Sequence, residues 1–152
     1  MSEAVLSSSD SQCLHRIAGM MIPANTEYDI PGADDGRIFA DIVGSLGRDS
    51  GDVQAALAAL STLGGGNFVD LDEQRAASVL EQFLASGSTP ASVLGRVILQ
   101  CYYRDGRVLR SLGLEARPPF PKGHTLEQGD WSLLDAVRAR PKLWRDDREV
   151  LR

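Results

Sequence analysis

A chain of 152 residues with a hydrophobic fraction of 43% is long enough to bury one core and too apolar to be disordered by composition. Its formal net charge of −5 argues against a general nucleic-acid binder, and no apolar run approaches the ~18 residues of a membrane span. The charge is unevenly placed: residues 1–112 hold 8 basic against 14 acidic side chains, whereas residues 113–152 hold 8 against 7.

The stretch from Met1 to Asp10 shows no positively charged segment, no apolar signal core and no twin arginine. The expectation is a cytoplasmic protein, with co-export into the periplasm as the alternative. Cys13 and Cys101 lie far apart without metal-type spacing. They read as two buried thiols of a reducing compartment, and a Cys13–Cys101 disulfide is the alternative.

Helical patterns follow one another along the chain. Ser9 can cap a first helix, with Gln12 three residues on; Leu14, Ile17, Ala18 and Met21 give its apolar face. Pro23 stops it. Ile22 to Gly36 then forms a connecting loop, with a turn at Pro31-Gly32. Asp34 or Asp35 caps a second helix, whose stripe is Ile38, Phe39, Ile42, Val43 and Leu46, and Gly47 ends it. A third helix spans about Asp52 to Leu63 with Val53, Leu57 and Leu60 inward. Gly64-Gly65-Gly66 closes it as a C-cap and turn, since no lysine-serine or lysine-threonine pair follows to make a phosphate loop.

Asp70, with Glu73 behind it, opens a fourth helix faced by Leu71, Val79, Leu80, Phe83 and Leu84, and Gly87 breaks it. Thr89 caps a fifth, with Pro90 at its first position. Val93, Leu94, Val97, Ile98 and Cys101 make this the most apolar helix and the expected centre of the bundle. A short sixth helix runs from about Asp105 to Leu112, carrying Val108 and Leu112. No stretch alternates with period two, so the class is all-α: a compact bundle of five to six helices over residues 1–112.

Residues 113–152 differ in character. They hold both tryptophans and four of the seven prolines. Pro118, Pro119 and Pro121 impose an extended path. Only Ser132 to Arg140 has a helical pattern, with Leu133, Leu134 and Val137 inward and Pro141 closing it. Arg138, Arg140, Lys142 and Arg145 form a basic run beside Trp144, with no acid among them. Three readings stay open for this extended tail: nucleic-acid contact, opposed by the acidic whole and by Asp146-Asp147; a tail folded back on its own bundle; or a clamp on a partner protein, for which tryptophan and arginine are the residues that dominate interfaces.

Isolated candidates for chemistry read as structural. His15 sits on the flank of the first helix, and His124 has no second histidine or cysteine nearby for a metal. Glu27, Asp29, Asp34 and Asp35 do not have the spacing of a calcium loop and read as caps and solvated charges. Tyr102-Tyr103 is a helix-end aromatic pair. No catalytic, cofactor-binding or metal-ligating residue is assigned.

Five segments carry a resemblance: Ile22-Pro23-Ala24; Pro31-Gly32-Ala33 leading into a helix; Phe68 to Leu71 ahead of Arg75; Tyr102-Tyr103-Arg104-Asp105; and an ending from Asp130-Trp131 through Arg140-Pro141 to Trp144-Arg145. In their order and spacing, from Cys13 to Arg145, they resemble the gluconate 2-dehydrogenase subunit 3 family. The resemblance implies a small, non-catalytic subunit that binds and stabilises, or helps to fold, a large FAD-dependent flavoprotein of the glucose-methanol-choline oxidoreductase class acting on CH-OH groups. The FAD belongs to that partner, and this chain carries no cofactor. Small subunits of the family often bear a twin-arginine export signal. Its absence here shifts the expected role from export towards folding or stability of the partner. Trp131, Arg138, Arg140, Pro141, Trp144 and Arg145 are the expected partner-binding residues. The alternative is a free-standing helical binding or regulatory module with another partner.

Overall fold

In a computed structural model, which describes residues 6–118, 120–123 and 125–141, these signals become seven α-helices and no strand among the described residues. The chain divides into two compact units, Met1–Arg117 and Pro118–Arg152. The first unit holds α1 (Ser8–Met21), α2 (Gly36–Gly44), α3 (Ser50–Gly64), α4 (Glu73–Ala85), α5 (Thr89–Arg104) and α6 (Gly106–Ser111); the second holds α7 (Asp135–Arg138).

The core is built where helical periodicity places apolar side chains. Leu14, Ile17 and Ala18 of α1, Ile38 and Ile42 of α2, Val53, Leu57 and Leu60 of α3, Val79, Leu80 and Phe83 of α4, and Leu94, Val97, Ile98 and Cys101 of α5 are all buried. The fifth helix packs against α2, α3, α4 and α6, while α3 also meets α1 and α4. These two helices therefore share the centre. Expected face residues at the margins stay out of the core: Val43, Leu84 and Leu112 are exposed. No described helix is long and apolar enough to cross a membrane.

Helix starts fall one or two residues from their expected positions, for a shared reason. Where several cap-forming residues lie together, the backbone selects the one whose side chain reaches a free N–H. Ser7, not Ser9, caps α1: its Oγ accepts from the Asp10 N–H at 3.1 Å and its hydroxyl donates to the Asp10 carboxylate at 2.7 Å. Asp72, not Asp70, caps α4, accepting from the Arg75 N–H at 2.8 Å. Asp70 is instead taken up in a 3-10 turn, Phe68–Asp70, which Asn67 caps and which buries Phe68 completely. Ser88, not Thr89, caps α5, so Pro90 is its second residue. The second helix ends at Gly44, and Gly47, at φ +40°, opens a 3-10 turn rather than ending that helix. Gly65, at φ 77°, takes the left-handed C-cap conformation after α3, which glycine adopts without penalty.

Cys13 and Cys101 are buried and unbridged. Burial, with Asp10 nearby, pushes the Cys13 thiol up to about 11, and burial also raises that of Cys101.

In the second unit Trp131–Leu134 forms a 3-10 turn that continues into the single turn of α7. The expected inward positions Leu133, Leu134 and Val137 are exposed there, as is every described residue beyond Arg117. Among the described residues of this unit, one turn of helix has no second apolar layer against which to bury a face.

Candidate partner-binding site

Of the residues expected to bind a partner, Trp131, Arg138, Arg140 and Pro141 are described and all are exposed; Trp144 and Arg145 lie outside the described residues, as do Lys142 and His124. Asp130 organises the start of this segment. Its carboxylate accepts from the Ser132 N–H at 3.0 Å and the Ser132 hydroxyl at 2.6 Å, and these bonds lower its pKa. The Trp131 indole Nε1 donates to Gln128 Oε1 at 3.5 Å, while 60% of the residue remains exposed. Phe120, Leu126, Leu133, Leu134 and Val137 are exposed in the same unit. Arg138 is not a free cation: its Nη1 meets Asp135 at 3.2 Å. Both partners are well exposed, so the pair is weak.

The first unit contains a second candidate surface, one built from residues far apart in sequence. Its frame is the loop after α1. Asn25 and Ile30 exchange two backbone hydrogen bonds of 2.9 Å, while Asn25 Oδ1 accepts from the N–H groups of Glu27 and Tyr28. The Ala33 N–H donates to the Ile22 carbonyl at 2.9 Å, closing the loop at its base. Gly32 permits this closure, because a Cβ there would stand 2.9 Å from the Ala24 nitrogen and 3.1 Å from the Ile22 oxygen. Asp29, at φ 50°, turns the tip; aspartate tolerates that region better than most residues.

Against this loop stands α6, fixed by an ion cluster of Asp35, Asp105 and Arg107, with Arg37 Nε 3.8 Å from Asp105 Oδ2 as its outer member. Asp35 caps α2 by accepting from the Arg37 and Ile38 N–H groups. The same carboxylate takes a bidentate pair from Arg107, at 2.6 and 3.1 Å. Asp105, which caps α6 and is buried, receives Arg107 through Nε at 3.0 Å and Nη2 at 3.1 Å. Arg107 is the main cause that holds the Asp35 carboxyl down at about 2 and lowers that of Asp105, and the two carboxylates raise the arginine in turn. Between loop and α6 lies a groove of about 600 Å³ with Ala24, Tyr28, Asp29 and Pro31 on one wall and Arg107 and Arg110 on the other. That volume falls within the range of ligand pockets.

Three further ties hold the unit together. Arg16 donates to the carbonyls of Phe68 at 2.9 Å, Val69 at 2.6 Å and Leu71 at 2.7 Å, and lies over the Phe68 ring. Arg104 forks onto Asp41 at 2.5 and 2.6 Å and also reaches the Ser45 hydroxyl. Arg96 meets Asp49 at 2.9 Å. His15 is exposed with its ring edge-on to Phe39 at 4.7 Å; Tyr102 is buried and Tyr103 exposed, edge-on to each other at 5.3 Å. No group of three or more His, Cys, Asp or Glu side chains fit to hold a metal occurs among the described residues.

The expected tail residues and the groove thus belong to different units. Sequence reasoning offered Asp34 or Asp35 as the cap, of which Asp35 fills the role, and missed its pairing with Arg107, which lies 72 residues away. The nearest signal was the sequence Asp105-Gly-Arg107, an acid with an arginine two positions on at a helix start. Comparison of the chain with protein-family models, with curated proteins and with solved structures finds no match.

Proposed function

We propose that this chain is a non-catalytic small subunit that binds and stabilises a large FAD-dependent oxidoreductase of the glucose-methanol-choline class, one acting on CH-OH groups. The observation that carries the reading is the exposed surface of Asp130 to Pro141. This stretch holds described residues of the closing resemblance motif, and it presents Trp131 and neighbouring apolar side chains instead of burying them. Exposed apolar clusters edged by cations mark surfaces for partners.

The other resemblance segments support the reading in a second way. Ala24 and Pro31 line the groove, Asp105 fixes its arginine, and Phe68 and Leu71 lie under the Arg16 clamp. Within these segments Arg104 and Asp105 hold shape, through Asp41 and Arg107, a use that suits an accessory subunit.

Affinity purification of the tagged chain from cells that also express the flavoprotein tests this. The expected result is a complex in which mass spectrometry identifies a glucose-methanol-choline flavoprotein and denaturation releases FAD, about one per small subunit. The chain purified alone is expected to lack flavin absorbance. A flavin bound stoichiometrically to the isolated chain would overturn the proposal. The second reading, a helical module for another partner, rests on the same exposed Trp131 surface and would be favoured by a stable complex with a protein of a different class.

A further inference from the structure

Arg107 and Arg110 stand three residues apart on α6, on one face of the helix, yet their situations differ. Arg107 is consumed by Asp35 and Asp105. Arg110 lines the same groove, is exposed, and makes no ion pair or side-chain hydrogen bond among the described residues. Its guanidinium lies back along the helix, with Nη1 3.4 Å from where a Cβ on Gly106 would be. On the opposite wall Asp29 is likewise without an ion pair among the described residues, although an arginine lines the same groove. The two opposite charges leave the space between them open.

We propose that this groove seats an extended, carboxylate-bearing segment of the large flavoprotein subunit, with Arg110 as its cationic anchor and the Tyr28 ring as its apolar one; this rests on the accessory-subunit reading. Asp29 decides the kind of occupant. It repels a simple anion approaching Arg110. An extended polypeptide can give a side-chain carboxylate to Arg110 and a backbone N–H to Asp29 at the same time. Tyr28 is 63% exposed at the rim, and tyrosine and arginine are the side-chain types that most often carry interface energy. The walls are already fixed, by the Asn25–Ile30 bonds on one side and the Arg107 cluster on the other. A segment entering the groove therefore finds it shaped, which lowers the ordering cost of binding.

The test is equilibrium binding of the purified flavoprotein to the wild-type chain, to Arg110→Glu, to Tyr28→Ala, and to Arg75→Glu as a charge reversal on α4 away from the groove. Arg110→Glu is expected to weaken binding ~30-fold or more and Tyr28→Ala ~10-fold, with Arg75→Glu within ~3-fold of wild type. All three side chains are exposed, so thermal melts of the free variants are expected to match wild type. Wild-type binding with Arg110→Glu unchanged would overturn the groove as the interface and leave the accessory-subunit reading standing. Failure of the wild-type chain to bind the flavoprotein at all would overturn both. Titration of the free chain with inorganic phosphate separates the remaining source of negative charge: saturable binding lost in Arg110→Glu would make this a small-anion site and overturn the peptide assignment.

Discussion

In the unit ending at Arg117, α3 and α5 turn leucine, valine and isoleucine at helical spacing inward until Leu60, Leu94 and Ile98 have no exposed surface. In the unit beginning at Pro118, Phe120, Leu126, Trp131 and Leu133 each keep more than half of their surface exposed. The hydrophobic residue types are much the same; the difference is periodicity. Long helices repeat an apolar position every three to four residues and so give neighbours something to pack against. Among its described residues the second unit has one 3-10 turn and one turn of α-helix, and its sequence holds several prolines. Apolar residues placed without a period cannot close a core, and the described ones of this unit stay exposed.

Removal of the second unit has the largest expected effect. A chain ending at Arg117 should keep its helical circular dichroism and melt within a few degrees of the full chain. It should also co-purify with far less of the flavoprotein, since it keeps the groove beside α6 but loses the exposed Trp131 surface. Early melting combined with retained capture would assign the second unit to stability and place the interface elsewhere.

Within the first unit, Ile98→Ala is the largest expected loss. It removes buried methyl groups at the contact of α5 with its neighbours and should cost ~2–4 kcal/mol in a denaturant melt. In the second unit Leu133→Ala should change stability by less than ~0.5 kcal/mol, as expected for an exposed position away from packing. Arg16→Ala should cost ~1–3 kcal/mol, because three carbonyls of the connection between α3 and α4 lose their donor. Arg16→Lys should recover only part of it, since one ammonium cannot reproduce the planar fork.

Acid titration gives the smallest and most specific signal. The folded Asp35 pKa, about 2, lies below its ordinary 3.8. The stability it contributes is therefore complete above about pH 4 and is lost as the pH falls through about 2. Asp105, also lowered, adds to the same acid-side loss. In Arg107→Met the fall in stability across that window should be shallower, from a lower starting point at neutral pH. Equal slopes in the two proteins would remove Arg107 as the cause.

How much of this was legible in the sequence follows from range. The inward positions of α3 and α5 could be read directly, since the period is local. The caps were displaced by a residue or two where Ser7-Ser8-Ser9-Asp10, Asp70 with Asp72, and Ser88-Thr89 each offered several acceptors and only three-dimensional reach selects one. The arginine ties were not legible. Arg16 meets carbonyls 52 to 55 residues on, and Arg104 meets Asp41 across 63. A charged side chain in sequence gives no sign of which distant partner it finds. The groove was missed for the same reason: its two walls, at residues 24–31 and 107–111, are joined only by folding.

The accessory-subunit reading requires this chain to stabilise a flavoprotein by binding its folded form. The direct measurement is the thermal unfolding of the isolated FAD-containing subunit, followed by flavin release, with increasing concentrations of this chain. A ligand that binds only the native state raises its melting temperature progressively with concentration, by about 2.7 kcal/mol of stability at a hundredfold excess over Kd. Such a rise is expected, continuing with the logarithm of the chain's concentration beyond one chain per flavoprotein, and smaller at every concentration for the chain ending at Arg117, which keeps the groove beside α6 but lacks the second unit. An unchanged melting temperature at stoichiometric excess, with no complex on gel filtration, would contradict it.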